Sequence, residues 1–178
     1  MTFFFYILIG CITFVAFLHT WVKKEFDRSR TVLINKPKAE VYGYIRQLQQ
    51  QPNWLPWFET RTGVILKFKG EEGKEGATLY WRVQHKWFEE EGIERITKIK
   101  PGMLLESQFF FLKPHKTYVE SYMAVKELDQ GRTKLLWGLR GTHRFPASVL
   151  SMVFDINGRL EQHIEEGLEN IKFNLESR

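Results

Sequence analysis

The feature that most constrains this chain is its beginning. From Thr2 to Val22 it reads TFFFYILIGCITFVAFLHTWV, without one Asp, Glu, Lys or Arg. At a rise of about 1.5 Å per residue, a helix of about 20 apolar residues crosses a hydrocarbon core of roughly 30 Å. An open strand pair is excluded in lipid, where its unpaired backbone groups have no partner. His19, Thr20 and Trp21 close the run, where an amphipathic ring sits at headgroup depth. A cleaved signal peptide fits less well. No basic side chain precedes the run, and Phe17-Leu18-His19-Thr20-Trp21 offers no small-residue cleavage pair. A buried core helix is disfavoured by apolarity all round, without an amphipathic stripe. Residues 1–22 are expected to be a retained transmembrane anchor.

The flank sets the expected orientation. Lys23, Lys24, Arg28 and Arg30 follow the run, and lysines and arginines concentrate on the cytoplasmic side of a span. A single-pass protein with its domain in the cytoplasm is expected, with 23–28 as a basic juxtamembrane segment. These four cations suit anionic headgroups, at about 1 kcal/mol each. The formal net charge is +5, and the rest of the chain shows no basic face or stripe. Nucleic acid is therefore not an expected partner. The single cysteine, Cys11, lies in the run, which rules out an intrachain disulfide and agrees with a reducing compartment.

The remainder, 29–178, reads as one domain of ordinary globular composition, 43% hydrophobic and 26% charged over the whole chain. Arg30–Asn35 has the β-branched residues of a strand. Pro37 suits the first turn of a helix. Ala39, Val41, Tyr42, Ile45 and Leu48 continue it at helical spacing to Gln50. Pro52 and Pro56 interrupt the helical pattern, so Asn53–Phe58 is expected as a short kinked helix or turn. The period then changes to two. Strands are expected over 63–69, 77–87, 91–100, 103–112, 117–128 and 133–142, joined by tight turns and therefore antiparallel. In the second of these, Leu79, Trp81, Val83, His85 and Trp87 share a face. A long amphipathic helix is expected from Pro146 to Ser177, where Asn157-Gly158 offers a point of kinking. A helix of about 30 residues is roughly 45 Å long but only about 10–12 Å wide. It cannot cover a strongly curved sheet, so an apolar cavity is expected between the two.

Several motifs in this order resemble the START-like helix-grip superfamily (SRPBCC), and within it the polyketide cyclase/dehydrase-like group. The opening Val32-Leu33-Ile34-Asn35-Lys36-Pro37-Lys38-Ala39-Glu40-Val41-Tyr42 resembles its strand and Pro-x-x-x-Val-Phe/Tyr helix start. Asn53-Trp54-Leu55-Pro56-Trp57-Phe58 is similar to its Trp-rich link. Ile96 to Leu104 resembles its strand, Pro-turn, strand segment, and Thr133-Lys134-Leu135-Leu136-Trp137 its last strand. Glu166-Gly167-Leu168-Glu169-Asn170-Ile171-Lys172 is similar to its closing helix, where Gly-Leu-x-Asn-Leu-Lys is usual. The resemblance covers about Ser29 to Arg178. It implies an α+β fold: a curved seven-stranded antiparallel sheet wrapped on a long C-terminal helix, with two short helices after the first strand. The superfamily includes lipid carriers, hormone receptors, aromatases and cyclases. The N-terminal span departs from most members.

Within that fold, Trp81, His85, Phe109, Trp137, Val153 and Leu160 are expected at the cavity wall, with His85 as a hydrogen-bonding handle. For any single aromatic residue, Phe111, Tyr118 and Tyr122 included, ordinary packing is the competing reading. Glu106 and Arg140 are read as solvated outer-face residues. The five histidines have no i, i+4 partner and no cysteine company, so no metal is expected. No phosphate loop and no nucleophile elbow is present, and no cofactor or catalytic set is expected. These features favour a membrane-anchored binding protein for an apolar small molecule, whether lipid, isoprenoid or polyketide-like. The alternatives are a cyclase or dehydratase-type enzyme acting on such a ligand, and a protein-interaction module with a filled core.

Overall fold

The computed structural model describes residues 2–21, 25–58, 63–84, 89–114, 116–128, 131–142 and 155–177. Its first element is helix α1, Thr2–Trp21. The apolar side chains from Phe3 to Ile9 are exposed, as are Ile12 and Phe17. Successive helical residues turn by about 100°, so the stretch 3–9 presents apolar groups on every side. Among the described residues no helix is long and apolar enough to cross a membrane. Within α1 side chains are described at 3–10, 12–13 and 17, whereas the expected anchor is the whole run.

Strand β1 spans Glu25–Ile34 and so begins ahead of the strand expected from Arg30. Residues 25–28 belong to the sheet, not to a separate juxtamembrane segment. The reason is alternation: Phe26 and Val32 turn into the core, while Asp27 on the other face accepts from the Tyr122 hydroxyl at 2.6 Å. Arg28 lies 3.1 Å from Glu161, which Arg30 also pairs with. Both arginines therefore serve an ion pair within the domain, which corrects their reading as free headgroup ligands. Lys23 and Lys24 lie outside the described residues.

Helix α2 (Lys38–Ile45) buries Val41, Tyr42, Tyr44 and Ile45. It stops earlier than its apolar spacing suggests, and a 3-10 turn over Leu48–Asn53 carries the chain onward. Six strands follow, β2 (Val64–Lys69), β3 (Thr78–Gln84), β4 (Glu89–Lys100), β5 (Leu104–Lys113), β6 (Thr117–Glu127) and β7 (Thr133–Thr142). They agree with the period-two segments of the sequence, save that β4 begins at Glu89 and that 85–87 of the second segment lie outside the described residues. All neighbours are antiparallel, in the order β1-β7-β6-β5-β4-β3-β2. Strand β4 shifts register on β5 at Glu91/Gly92 and Ile96/Lys98, and such irregularities bend a strand.

The last element, α3, spans Ile156–Glu176. Ile164, Leu168, Ile171 and Leu175 form its buried stripe, each contributing about 1.5–3 kcal/mol on burial. The helix does not run unbroken from Pro146. Asp155 is left-handed, with φ 44°, and its side chain accepts from the Gly158 amide as an N-cap. A left-handed residue cannot continue a right-handed helix. Residues 143–154, with Val153, lie outside the described residues. The shorter helix, roughly 32 Å at 1.5 Å per residue, packs on β1 and β7. Asn174 ties it to the 3-10 turn by donating to the Asn53 carbonyl at 2.9 Å, and Asn170 donates to the Trp54 carbonyl at 3.3 Å.

Candidate functional site

Inward-facing positions follow from the strand alternation: 79, 81 and 83 on β3, 92, 94 and 96 on β4, 105, 107 and 109 on β5, and 135, 137 and 139 on β7. Most are apolar. The link between the 3-10 turn and β2 lays Trp54, Leu55, Trp57 and Phe58 over them. Trp54 meets Trp137 edge-on with centroids 5.2 Å apart, Trp57 meets Phe109 at 6.0 Å, and Phe58 meets Trp81 at 6.1 Å. Trp81 also meets Phe109 at 5.9 Å and Phe111 at 5.7 Å.

Trp81, Phe109 and Trp137 were expected at a cavity wall. In the structure they are buried, 1%, 3% and 0% exposed, within the aromatic cluster. Leu160 packs partly buried against the same cluster. His85 lies outside the described residues, as Val153 does. Trp54, Trp57 and Phe58 of the Trp-rich link pack onto Trp137, Phe109 and Trp81 of the sheet. Two glycines permit this density. A Cβ on Gly92 would stand 2.2 Å from the Trp81 ring, and one on Gly167 would stand 2.6 Å from Trp137.

One charged residue sits inside this apolar layer, and the sequence reading missed it. Glu94 on β4 is 2% exposed. Its Oε1 accepts from the Ser107 hydroxyl at 2.6 Å, while Oε2 has no partner among the described residues. Burial pushes its carboxyl up to about 7, against opposing hydrogen bonds from Ser107 and Gln51. Nearby polar groups divide. The Trp137 indole N–H donates to Ser121 Oγ at 3.0 Å, whereas Gln51 Oε1 and the indole nitrogens of Trp54, Trp57 and Trp81 have no partner among the described residues.

An open pocket of about 850 Å³ lies at one end of the sheet, where β1 begins and β7 ends. Phe26, Phe110, Phe111, Leu112 and Tyr118 give it an aromatic and apolar wall, and Arg28, Lys116 and Arg140 are among its cations. Several of its charges are already engaged. Glu120 accepts from Tyr118 Oη and from Arg140 Nε, each at 2.6 Å. Desolvation, then the bond to Glu120, pushes the Tyr118 phenol up to about 12. These two hydrogen bonds, Tyr118's first, hold the Glu120 carboxyl below its ordinary range. Arg140 and Glu106 lie on the outer face, as their strand positions suggested. Tyr118 and Tyr122 lie there too, not in the core. Among the described residues no group of His, Cys, Asp and Glu could hold a metal ion.

The arrangement is that of the helix-grip proteins, a seven-stranded antiparallel sheet closed by a C-terminal helix. No family profile and no curated protein matches the chain. Solved structures do. A truncated norcoclaurine synthase from Thalictrum flavum aligns with a TM-score of 0.63 at 11% identity, over 85% of this chain and 93% of its own. An aromatase/cyclase from a Streptomyces species gives 0.62 at 12%, over 86% and 95%. Ara h 8.0201 gives 0.61 at 10%, over 86% and 99%. At these identities the likeness shows the fold alone, and the chain has the helix-grip fold.

Proposed function

We propose that this protein is a membrane-anchored binder of an apolar small molecule, a lipid, isoprenoid or polyketide-like compound, taken up at the end of the sheet. The observation that carries the reading is where the pocket begins. Glu25, Phe26, Asp27 and Arg28 line it, and Trp21 ends α1. Four residues of chain span at most about 14 Å, so the pocket stays close to the end of the anchor however α1 is oriented. Its volume falls in the range of small-molecule sites, about 300–1,000 Å³. The solved proteins of this fold named above include a synthase and an aromatase/cyclase, which supports small-molecule handling as the class. An enzyme of cyclase or dehydratase type is the second reading, favoured by one observation, the buried Glu94 with its carboxyl raised to about 7. Native mass spectrometry of the full chain, released from lipid nanodiscs, is expected to show a retained apolar adduct. Replacing Phe111 with Glu should abolish it. A chain that carries no adduct, and takes up none from added lipid extract, would sink the binding reading.

The anchor belongs to the same proposal and rests on the uncharged run and on the apolar groups around α1. With β1 starting at Glu25, deleting residues 1–22 leaves the sheet intact. The truncated chain is expected to move to the soluble fraction with its far-UV spectrum unchanged. Protease outside intact cells should leave the full-length domain whole, given Lys23 and Lys24 after the run. Retention of the truncated chain on membranes in high salt argues against a single anchor, and external digestion reverses the orientation.

A further inference from the structure

The register of the sheet sets how far each strand runs past the start of β1. Phe26 stands opposite Gly141, Gly141 opposite Val119 and Val119 opposite Phe109, one row across four strands. Glu25, where β1 begins, lies one residue beyond that row. On β5 and β6 the pairing continues in the same direction through Phe110 with Tyr118 and Phe111 with Thr117, and β5 ends at Lys113. At about 3.3 Å per residue, the β5–β6 hairpin reaches roughly 10 Å beyond the start of β1. Trp21 ends α1, and the four residues of chain from it to Glu25 span at most about 14 Å. With α1 in a bilayer, this hairpin is therefore within reach of the headgroups. Met103, in the turn before β5, lies at the other end of the sheet, roughly 30 Å away.

The side chains of the hairpin suit a membrane surface. Phe110 and Tyr118 meet with ring centres 5.3 Å apart, yet stay 36% and 37% exposed on the outer face. Leu112 follows Phe110 on that face by alternation. Tyrosine collects at headgroup depth, and neighbouring apolar side chains add buried area there. Lys113 is held by Glu89 and Glu91 at 2.6 and 3.1 Å, whereas Lys116 is exposed and makes no ion pair among the described residues. The acids of the pocket are mostly engaged. Asp27 accepts from Tyr122, and Glu120 from Tyr118 and Arg140, which leaves Glu25, next in sequence to Lys23 and Lys24. The charge of the connecting sequences divides in the same sense. Residues 85–88 and 143–154, which follow β3 and β7, include Lys86 and Arg144 and no acid. Residues 70–76, which join β2 to β3 at the opposite end, include Glu71, Glu72 and Glu75 against Lys74.

We propose that the β5–β6 hairpin is a second membrane contact, in which Phe110, Leu112 and Tyr118 lie in the headgroup layer of an anionic bilayer and Lys116 faces its charged groups. Helix α1 supplies attachment and the hairpin supplies orientation. Because these four residues also line the end pocket, docking turns its mouth to the lipid surface. The proposal rests on the reading of residues 1–22 as an anchor and adds the domain's own hold on the membrane.

The test uses the full chain in nanodiscs of phosphatidylcholine, alone or in an equal mixture with phosphatidylserine. Cys11 is the one cysteine of the chain, so Cys11→Ser provides a background for a single fluorophore at Thr117→Cys or at Met103→Cys. A headgroup-labelled lipid serves as quencher. In the serine-lipid discs the label at 117 is expected to shift to the blue and lose most of its emission, and the label at 103 to do neither. Lys116→Glu should lower the ratio of docked to undocked label, read from the two lifetimes, by roughly thirtyfold, one attraction lost and one repulsion gained. Lys74→Glu makes the same change of charge at the far end and should leave the ratio within about twofold. Both labels quenched alike, or neither quenched in a chain that co-elutes with the discs, overturns the docking and leaves the anchor standing. Quenching that ignores phosphatidylserine or survives Lys116→Glu overturns it too. A blue shift at 117 without quenching assigns the hairpin to a protein partner instead. A chain that fails to co-elute with the discs removes the proposal together with the anchor beneath it.

Discussion

Replacing Glu94 with glutamine is expected to stabilise the domain by about 3 kcal/mol at pH 8 and to change little at pH 4. The figure comes from the rise of the carboxyl from 4.5 to about 7 in the folded state, at about 1.36 kcal/mol per unit. The sign comes from proton linkage. The folded state holds the proton more tightly than the unfolded chain. Stability therefore falls as pH climbs from about 4.5 to about 7, and the cost of the buried charge is complete above that window. Below 4.5 both states are protonated and the cost is absent. Among the described residues, burial, then Ser107 and Gln51, act on this carboxyl, and no charged neighbour contributes. Glutamine carries no charge at any pH, and its carbonyl still accepts from Ser107. In a domain of this size the melting temperature at pH 8 should rise by roughly 6–12 °C. Equal melting temperatures at pH 8, or the same difference at both pH values, would contradict a charge buried at position 94.

That residue also shows where the sequence ran out. Strands β3 and β7 were legible because Leu79, Trp81 and Val83, then Leu135, Trp137 and Leu139, put apolar groups on three successive inward positions. On β4 the inward positions are Gly92, Glu94 and Ile96, only one of them apolar, within a run of acidic and basic residues. Counting back by two from Ile96 is the one signal that points Glu94 inward, and the neighbouring charges hide it. The start of β1 was missed for a related reason. Glu25, Asp27, Arg28 and Arg30 read as a charged flank, because their partners Tyr122 and Glu161 lie far away in sequence. The helix stripe from Ile164 to Leu175 was legible, since 3–4 spacing survives without tertiary information. Its start was not, because the break depends on one backbone conformation, at Asp155. The end pocket could not be read at all. It exists because β1 pairs with β7, which brings the first and last strands together, and local periodicity carries no trace of that pairing.

Trp137→Ala is expected to cost about 3–5 kcal/mol, a large share of the roughly 5–15 kcal/mol that holds a domain together. The ring is fully buried, packs edge-on against Trp54 at 5.2 Å and lies 6.3 Å from Trp57. Its N–H satisfies Ser121 Oγ at 3.0 Å. Truncation removes these contacts, strands the buried Ser121 hydroxyl, and leaves a hole between sheet and helix. Trp137→Phe keeps most of the ring and loses the hydrogen bond, so about 1–2 kcal/mol is expected. The helix supplies the decisive control. Gly167 faces this ring so closely that a Cβ would stand 2.6 Å from it. In the unaltered protein Gly167→Ala should therefore destabilise by about 1–3 kcal/mol through overpacking. This loss outweighs the roughly 1 kcal/mol by which alanine favours a helix over glycine. In the Trp137→Ala background the clash is gone, and the same substitution should be neutral or stabilising. Urea unfolding of the four proteins closes the cycle. Strong coupling of that sign is expected if the ring and the helix backbone meet as described. Additive effects would mean that Gly167 does not stand against Trp137, and that α3 does not close on this part of the sheet.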